Sequence, residues 1–431
     1  MSAADPEITL DQKSSSDATP IQLPLLAAPR AEVFLVETAE ELEEAVQTLA
    51  AGSGPFAVDA ERASGFKYSQ RAYLIQVYRA GSPIYLIDPA AIAPTADEGP
   101  FAGLAEVLRS DAWILHAASQ DIPCLRELGL TATKLFDTEL GSRIAGLERV
   151  GLGAVTESLL GVRLAKEHSA VDWSTRPLAN DWLNYAALDV DVLFELWAAV
   201  EAVLIERNKL DWASQEFAAT LAAQPKSAKV DKWRGMTGLH EVKDQRKLAI
   251  ARELWTAREN LAVKLDVSPG RLIPDSSIVN VVKETPKSKP QLAGNRSFVG
   301  RASRSYLDTW WKAIEDGSNT RELPPLKVAA TGIPNHRIWP TRFPDADRRL
   351  KIVRPMIAEL AEKHGLPVEN VLTPDFLRTL CFEPPVLEVE AIASSLRLLG
   401  AREWQIELTA QLIVDGFVAS LEVAEPSTDL A

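Results

Sequence analysis

Carboxylates interrupt three segments of this chain that are otherwise built for burial. Asp59 and Glu61 sit in "FAVDAER", Asp121 follows "ILHAASQ", and Asp189, with Tyr185 four residues before it, lies in "LNYAALDVDVLFEL". An ionised carboxylate in apolar surroundings is costly unless something cationic compensates it. Carboxylates that converge repel one another by roughly 1 kcal/mol per pair in water, and by about 4 at an effective dielectric near 20. Divalent cations remove that penalty and bring chemistry of their own.

Local geometry sharpens the pattern. Asp59 and Glu61 flank Ala60 on a predicted strand, so the period of two puts both carboxylates on one face. A strand end whose carboxylates meet solvent is the plainer alternative. Asp121 falls where a helix opens beyond the strand "AWILHA", with Ser119 as a candidate cap; a carboxylate there is favourable for local reasons too. Tyr185 and Asp189 are neighbours on one helical face. That face also carries Trp182, Ala186, Leu193 and Leu196, so Asp189 occupies a core position. Asp181 and Asp191 are expected in solvent.

The chain has 431 residues, 46% hydrophobic and 25% charged, in the range of globular proteins with two to four domains. No apolar run approaches the roughly 18 residues that span a bilayer. No secretory signal is evident, and Cys124 and Cys381 read as free thiols, so a cytoplasmic protein is expected. Five scattered histidines argue against a histidine-rich zinc site. The net charge of −14 hides a local reversal: residues 225–320 hold 18 Lys and Arg against 11 Asp and Glu. Local fields decide where a polyanion docks.

The first 30 residues read as a disordered tail. An α/β pattern follows over 31–222: a strand "VFLVE", a helix opened by Thr38 with Glu41 three residues on, then strands "PFAVDAE", "AYLIQVY", "IYLID" and "AWILHA", and a mainly helical stretch. Residues 223–238 read as a basic linker, 239–317 as a helical domain, 318–346 as a second linker, 347–421 as a further helical domain, and 422–431 as a tail. Segments 257–282 and 357–381 echo one another, each with a Pro-Asp helix start, which predicts two related helical domains in tandem.

Asp, Glu, Asp and Asp, with Tyr four residues before the last, together form a specific pattern. In it the sequence resembles the DEDD superfamily of 3′–5′ exonucleases, in the tyrosine subtype, and more closely the ribonuclease D family. The resemblance extends through "LFDTELGSRIAG" and "GVRLAKEHSAVDWSTRPL". The histidine subtype has histidine five residues before the last Asp; here that position is Asn184. Ala60 stands where threonine is common, on the opposite face. The resemblance implies an RNase H-like mixed sheet flanked by helices. It also implies that Asp59, Glu61, Asp121 and Asp189 hold two Mg²⁺ or Mn²⁺ ions, and that Tyr185 orients the attacking water.

Other residues are candidates for nucleic-acid contact. Gln76 and His116 are strand-end polar groups that could line a cleft, and Lys166 and Arg176 could bind phosphate; structural hydrogen bonds and salt bridges are the alternatives. Asp137 in "LFDT" reads as a capping carboxylate. Residues 239–317 resemble an HRDC domain, a small helical nucleic-acid-binding module, with Lys283, Lys287, Lys289, Arg296, Arg301 and Arg304 as phosphate candidates. Trp310 and Trp311 read as packing residues. Residues 347–421 resemble a divergent HRDC-like domain that could close back on the exonuclease domain.

These readings imply a monomeric, metal-dependent 3′–5′ exoribonuclease that releases nucleoside 5′-monophosphates and trims structured RNAs such as tRNA precursors. A DNA exonuclease would use the same site. A non-catalytic RNA-binding scaffold is the rival from another class.

Overall fold

A computed structural model describes residues 23–93, 99–165, 171–224, 231–298, 300–328 and 332–422. The chain opens with β1 (Leu25–Leu26), β2 (Val33–Val36), α1 (Ala39–Ala51), β3 (Phe56–Arg62), β4 (Ala72–Arg79), β5 (Ile84–Ile87) and α2 (Pro89–Ile92). It continues through α3 (Ala102–Leu108), β6 (Trp113–Leu115), α4 (Ile122–Arg126), β7 (Leu135–Asp137), α5 (Thr138–Ala145), α6 (Leu152–Leu160) and β8 (Arg163–Leu164). Three helices close this part: α7 (Asn180–Asp191), α8 (Leu193–Glu206) and α9 (Leu210–Ala222).

Six strands form one mixed sheet in the order β2-β5-β4-β3-β6-β7. The pairs of β4 with β3 and β5 are antiparallel; β2 with β5, β3 with β6 and β6 with β7 are parallel. β4 is buried along nearly its whole length, as a central strand covered on both faces must be. Thr38 and Glu41 form the expected capping box at α1: Thr38 Oγ1 accepts from the Glu41 N–H at 3.2 Å, and Glu41 accepts from the Thr38 N–H at 3.0 Å.

Residues 23–30 correct the expected tail. β1 pairs with β8, and Arg30 Nε donates to Asp191 Oδ2 at 2.8 Å. Asp191, expected in solvent, is buried because this guanidinium neutralises it.

A helical unit follows, with α10 (Gln245–Leu265), α11 (Pro269–Leu272), α12 (Asp275–Glu284), α13 (Lys289–Ala293), α14 (Arg301–Ser305) and α15 (Leu307–Asn319). It has its own core, to which Trp233, Met236 and Leu239 contribute. The expected linker therefore ends earlier: two apolar anchors, Trp233 and Met236, sit inside a segment whose basic composition conceals them. Trp310 is fully buried, as a packing residue should be. This unit docks on the loop between β3 and β4. Asp266 accepts from the Ser69 N–H at 2.8 Å and the Tyr73 hydroxyl at 3.1 Å, and Arg271 Nε donates to Gly65 O at 2.7 Å.

The last unit comprises α16 (Trp339–Arg342), α17 (Pro344–His364), α18 (Val368–Val371), α19 (Pro374–Phe382), α20 (Val389–Leu399) and α21 (Glu403–Glu422). It starts before the expected 347, since Trp339 is already fully buried. Its apolar residues form one continuous core with those of the sheet domain. The join is made by α9: Trp212 stacks on Trp404 at 4.9 Å, and Glu216 accepts from Trp404 Nε1 at 3.1 Å and from Arg402 Nη2 at 2.7 Å. Gly146, at φ 92°, lies so close to the Gly365 backbone that a Cβ would collide with its carbonyl oxygen. Among the described residues no helix is long and apolar enough to cross a membrane.

Candidate active site

β3 and α7 supply the centre of the site. α7 packs across β3, β4 and β5, and it presents Asp189 and Tyr185 toward the strand that carries Asp59 and Glu61. Carboxylate oxygens of Asp59, Glu61 and Asp189 all lie within 4.8 Å of one another. They stand in a cavity of about 940 Å³ that Asp121 and Tyr185 also line. Asp121 falls outside the tight group; its Oδ1 lies 3.8 Å from Arg62 Nη2.

Asp121 reaches the cavity by a built turn. The chain leaves β6 and reverses at Ala117, whose φ is 63°, then makes a short 3-10 turn over Ala118–Gln120. Ser119 lies inside that turn instead of capping a helix, and Asp121 itself precedes α4. Asp137 holds the turn, accepting from the N–H groups of Ala117 at 3.0 Å and Ala118 at 2.9 Å while capping α5 through those of Glu139 and Leu140. Its capping role was legible in "LFDT"; its grip on the segment before Asp121 was not.

Burial and mutual repulsion dominate the electrostatics of the cluster. Burial pushes the Asp59 carboxyl up to about 6, against the pull of the Ala60 N–H and Arg62. Burial and then the charge of Asp59 push Asp121 up to about 8. Glu61 and Asp189 are held well above the usual carboxylate range by burial and, next, by Asp59. Burial, followed by the Asp189 charge, raises the Tyr185 hydroxyl, which therefore stays a proton donor hydrogen-bonded to Asp189. Four mutually repelling, all-oxygen ligands fit hard divalent cations.

Comparison with known proteins agrees with this geometry. Residues 33–205 match the family model described as 3′–5′ exonuclease, 247–314 that of the HRDC domain, and 332–417 that of a 3′ to 5′ exonuclease C-terminal domain. Ribonuclease D of Acidiphilium cryptum is 31% identical over 307 residues, 68% of this chain and 74% of the relative. The chain belongs to the ribonuclease D family. It is thus a 3′–5′ exonuclease with an HRDC domain. Among solved structures, a protein of Bifidobacterium adolescentis superposes with a TM-score of 0.83 at 37% identity, covering 92% of this chain and 100% of that one. Escherichia coli RNase D, described as an exoribonuclease involved in structured RNA processing, shares the fold with a TM-score of 0.64 at 22% identity, over 90% of this chain and 99% of its own.

Several nucleic-acid candidates of this ribonuclease D-family chain land elsewhere than expected. Gln76 pairs with Asp59 across β3 and β4 but is 0% exposed and is not among the residues that line the cavity. Arg176 is spent on structure: it forks onto Asp88, with Nη2 at 2.7 Å from Oδ1, and donates to the carbonyls of Tyr73 and Trp173. His116 does line the cavity, with Nδ1 2.9 Å from Thr138 Oγ1; burial pushes its pKa down to about 4, so it is neutral. Lys166 lies outside the described residues. In the HRDC domain Lys283 pairs with Glu241 and Lys289 with Asp308. Lys287, Arg296, Arg301 and Arg304 are exposed and form no ion pair among the described residues.

Three arginines went unnoticed in the sequence. Arg62, Arg149 and Arg163 all line the cavity. Arg62 directly follows Glu61 at the end of β3, where strand alternation alone gives no place among the carboxylates. Arg163 lies within the run "GVRLAKEHSAVDWSTRPL", where the pattern assigned it no role of its own, and Arg149 lies between that run and "LFDTELGSRIAG".

Proposed function

We propose that this chain removes nucleoside 5′-monophosphates one at a time from RNA 3′ ends. The observation that carries the reading is the meeting of Asp59, Glu61 and Asp189 oxygens within 4.8 Å, in a cavity shared with Asp121 and Tyr185. Asp59, Glu61, Asp121 and Asp189 would hold two Mg²⁺ or Mn²⁺ ions, which supply charge neutralisation at the phosphate and a more acidic water. The protonated Tyr185 hydroxyl, anchored on Asp189, orients the water for in-line attack on the terminal phosphodiester. The new P–O bond forms as the P–O3′ bond breaks. The 3′ oxygen leaves with a proton, giving a shortened RNA and a 5′-monophosphate.

The terminal nucleotide must leave its stack to reach carboxylates at the floor of a cleft, which favours single-stranded 3′ extensions. Family membership supports structured RNAs with such extensions, tRNA precursors among them, as substrates, and the exposed HRDC cations supply salt-sensitive affinity. The test is digestion of a 3′-extended RNA and a matched DNA, with Mn²⁺ or with EDTA, resolving products by length. EDTA-sensitive, stepwise shortening of the RNA supports the reading. Preferential DNA shortening, or binding without any nucleotide release, overturns it.

A further inference from the structure

We propose that Arg62 binds a phosphate of the substrate, inside the same cavity that gathers the carboxylates; this rests on the nuclease reading above. Arg62 ends β3, one residue after Glu61, and lines the cavity beside Asp59, Glu61 and Asp121. The pairing with β4 is regular from Phe56 to Glu61 and then shifts: Arg62 lies opposite Ala72, so Tyr73 of β4 is the extra residue at the point where the strand pair ends.

Its surroundings are not those of a structural arginine. Ion pairs that brace this fold are close: Arg30 with Asp191 at 2.8 Å, Arg258 with Asp275 at 2.7 Å and Arg402 with Glu216 at 2.7 Å. Arg62 stays 3.8 Å from Asp121, beyond hydrogen-bonding distance, with its side chain 25% exposed. Its guanidinium makes no hydrogen bond among the described residues, so all five N–H donors face the cavity or its solvent. A planar donor fork with no acceptor suits a phosphate, which it can grip through two parallel hydrogen bonds. Exposed Arg149 and Arg163 also line the cavity, with Glu157 as the one carboxylate beyond the cluster, and neither arginine has an ion pair among the described residues. The cavity thus holds cations beside its carboxylates, and a polyanion would place its reacting phosphate over the cluster and a neighbouring one on Arg62.

The test measures binding of a 5′-labelled single-stranded RNA by anisotropy in EDTA, where hydrolysis does not interfere, across a salt series. Steady-state hydrolysis in Mn²⁺ runs in parallel. Arg62→Gln should raise Kd about tenfold, the scale of one charge-assisted contact. Its log–log salt slope should shrink by about 0.7, the single-strand increment for one phosphate. Arg62→Lys, which keeps the charge beside Asp121 and is the gentler change for folding, should keep the parental slope but lose several-fold in affinity for want of the fork. An Arg62→Gln protein with unchanged Kd, or with weaker binding at an unchanged slope, overturns the proposal. So does an Arg62→Lys protein that binds like the parent, which decides the matter if the glutamine variant does not fold. Parental hydrolysis in Mn²⁺ keeps the two questions apart: its absence would remove the nuclease reading itself, whereas its presence with indifferent Arg62 variants would remove only this one.

Discussion

The Asp137 carboxylate accepts the backbone N–H of Ala118 at 2.9 Å, tying the end of one parallel strand to the turn that follows its neighbour. Three further N–H groups converge on the same side chain. Asp137→Ala strands four donors and should cost about 3 kcal/mol in urea unfolding. It should also lower kcat roughly tenfold, because the turn that delivers Asp121 loses its brace. Asp137→Asn, which keeps one acceptor oxygen, should recover part of both losses.

Asp189→Asn separates catalysis from stability. Hydrolysis should fall by on the order of a thousandfold, with RNA binding in EDTA close to the parent's. Removing one of several repelling charges while keeping an acceptor for Tyr185 should raise the metal-free Tm by a few degrees. Calorimetry in EDTA checks the second outcome; an unchanged kcat would remove Asp189 from the reaction.

The cluster also dictates a pH dependence. Asp59 and Asp121 are raised to about 6 and about 8, so between about 4 and 8 these two groups hold more protons in the folded protein than in the unfolded chain, while the depressed His116 does the opposite between about 4 and 6.5. Stability from these groups is therefore present in acid and lost as pH climbs through those values. Melting in EDTA should show Tm falling between about pH 6.5 and 8, above the range in which His116 opposes the trend. Saturating Mn²⁺ should blunt the fall, since cation binding favours the deprotonated, folded form.

Glu216 carries the junction with the last helical unit. Its two carboxylate oxygens take one bond each from Arg402 and Trp404, and it is 6% exposed. Glu216→Ala leaves a buried indole N–H and a guanidinium without their acceptor, at a cost of about 3 kcal/mol. Hydrogen exchange should quicken first in residues 403–422.

Much of this was readable from local pattern. Thr38 and Glu41 announce their capping box because both partners lie within four residues. Asp189 betrays itself by sitting on an apolar helical stripe. What escaped depends on long-range pairing. Asp191 looked solvated until Arg30, 161 residues earlier, was found bonded to it. Gln76 looked like a cleft residue because its burial comes from β4's place in the middle of the sheet, which no local pattern announces. Arg62 drew no notice because strand alternation gives no reason to place the residue after Glu61 beside the carboxylates. Trp233 and Trp339 were hidden in linker-like composition, although each anchors a core.

The shared core of the sheet domain and the last helical unit bears on how the protein is made. On a ribosome the strands and carboxylates emerge early, but α9 waits for His364 and then Trp404 to leave the exit tunnel before Trp212 is covered. The HRDC domain, with its separate core, can fold in the interval. A nascent chain stalled before α21 would hold every candidate metal ligand while still offering a bare apolar flank to chaperones.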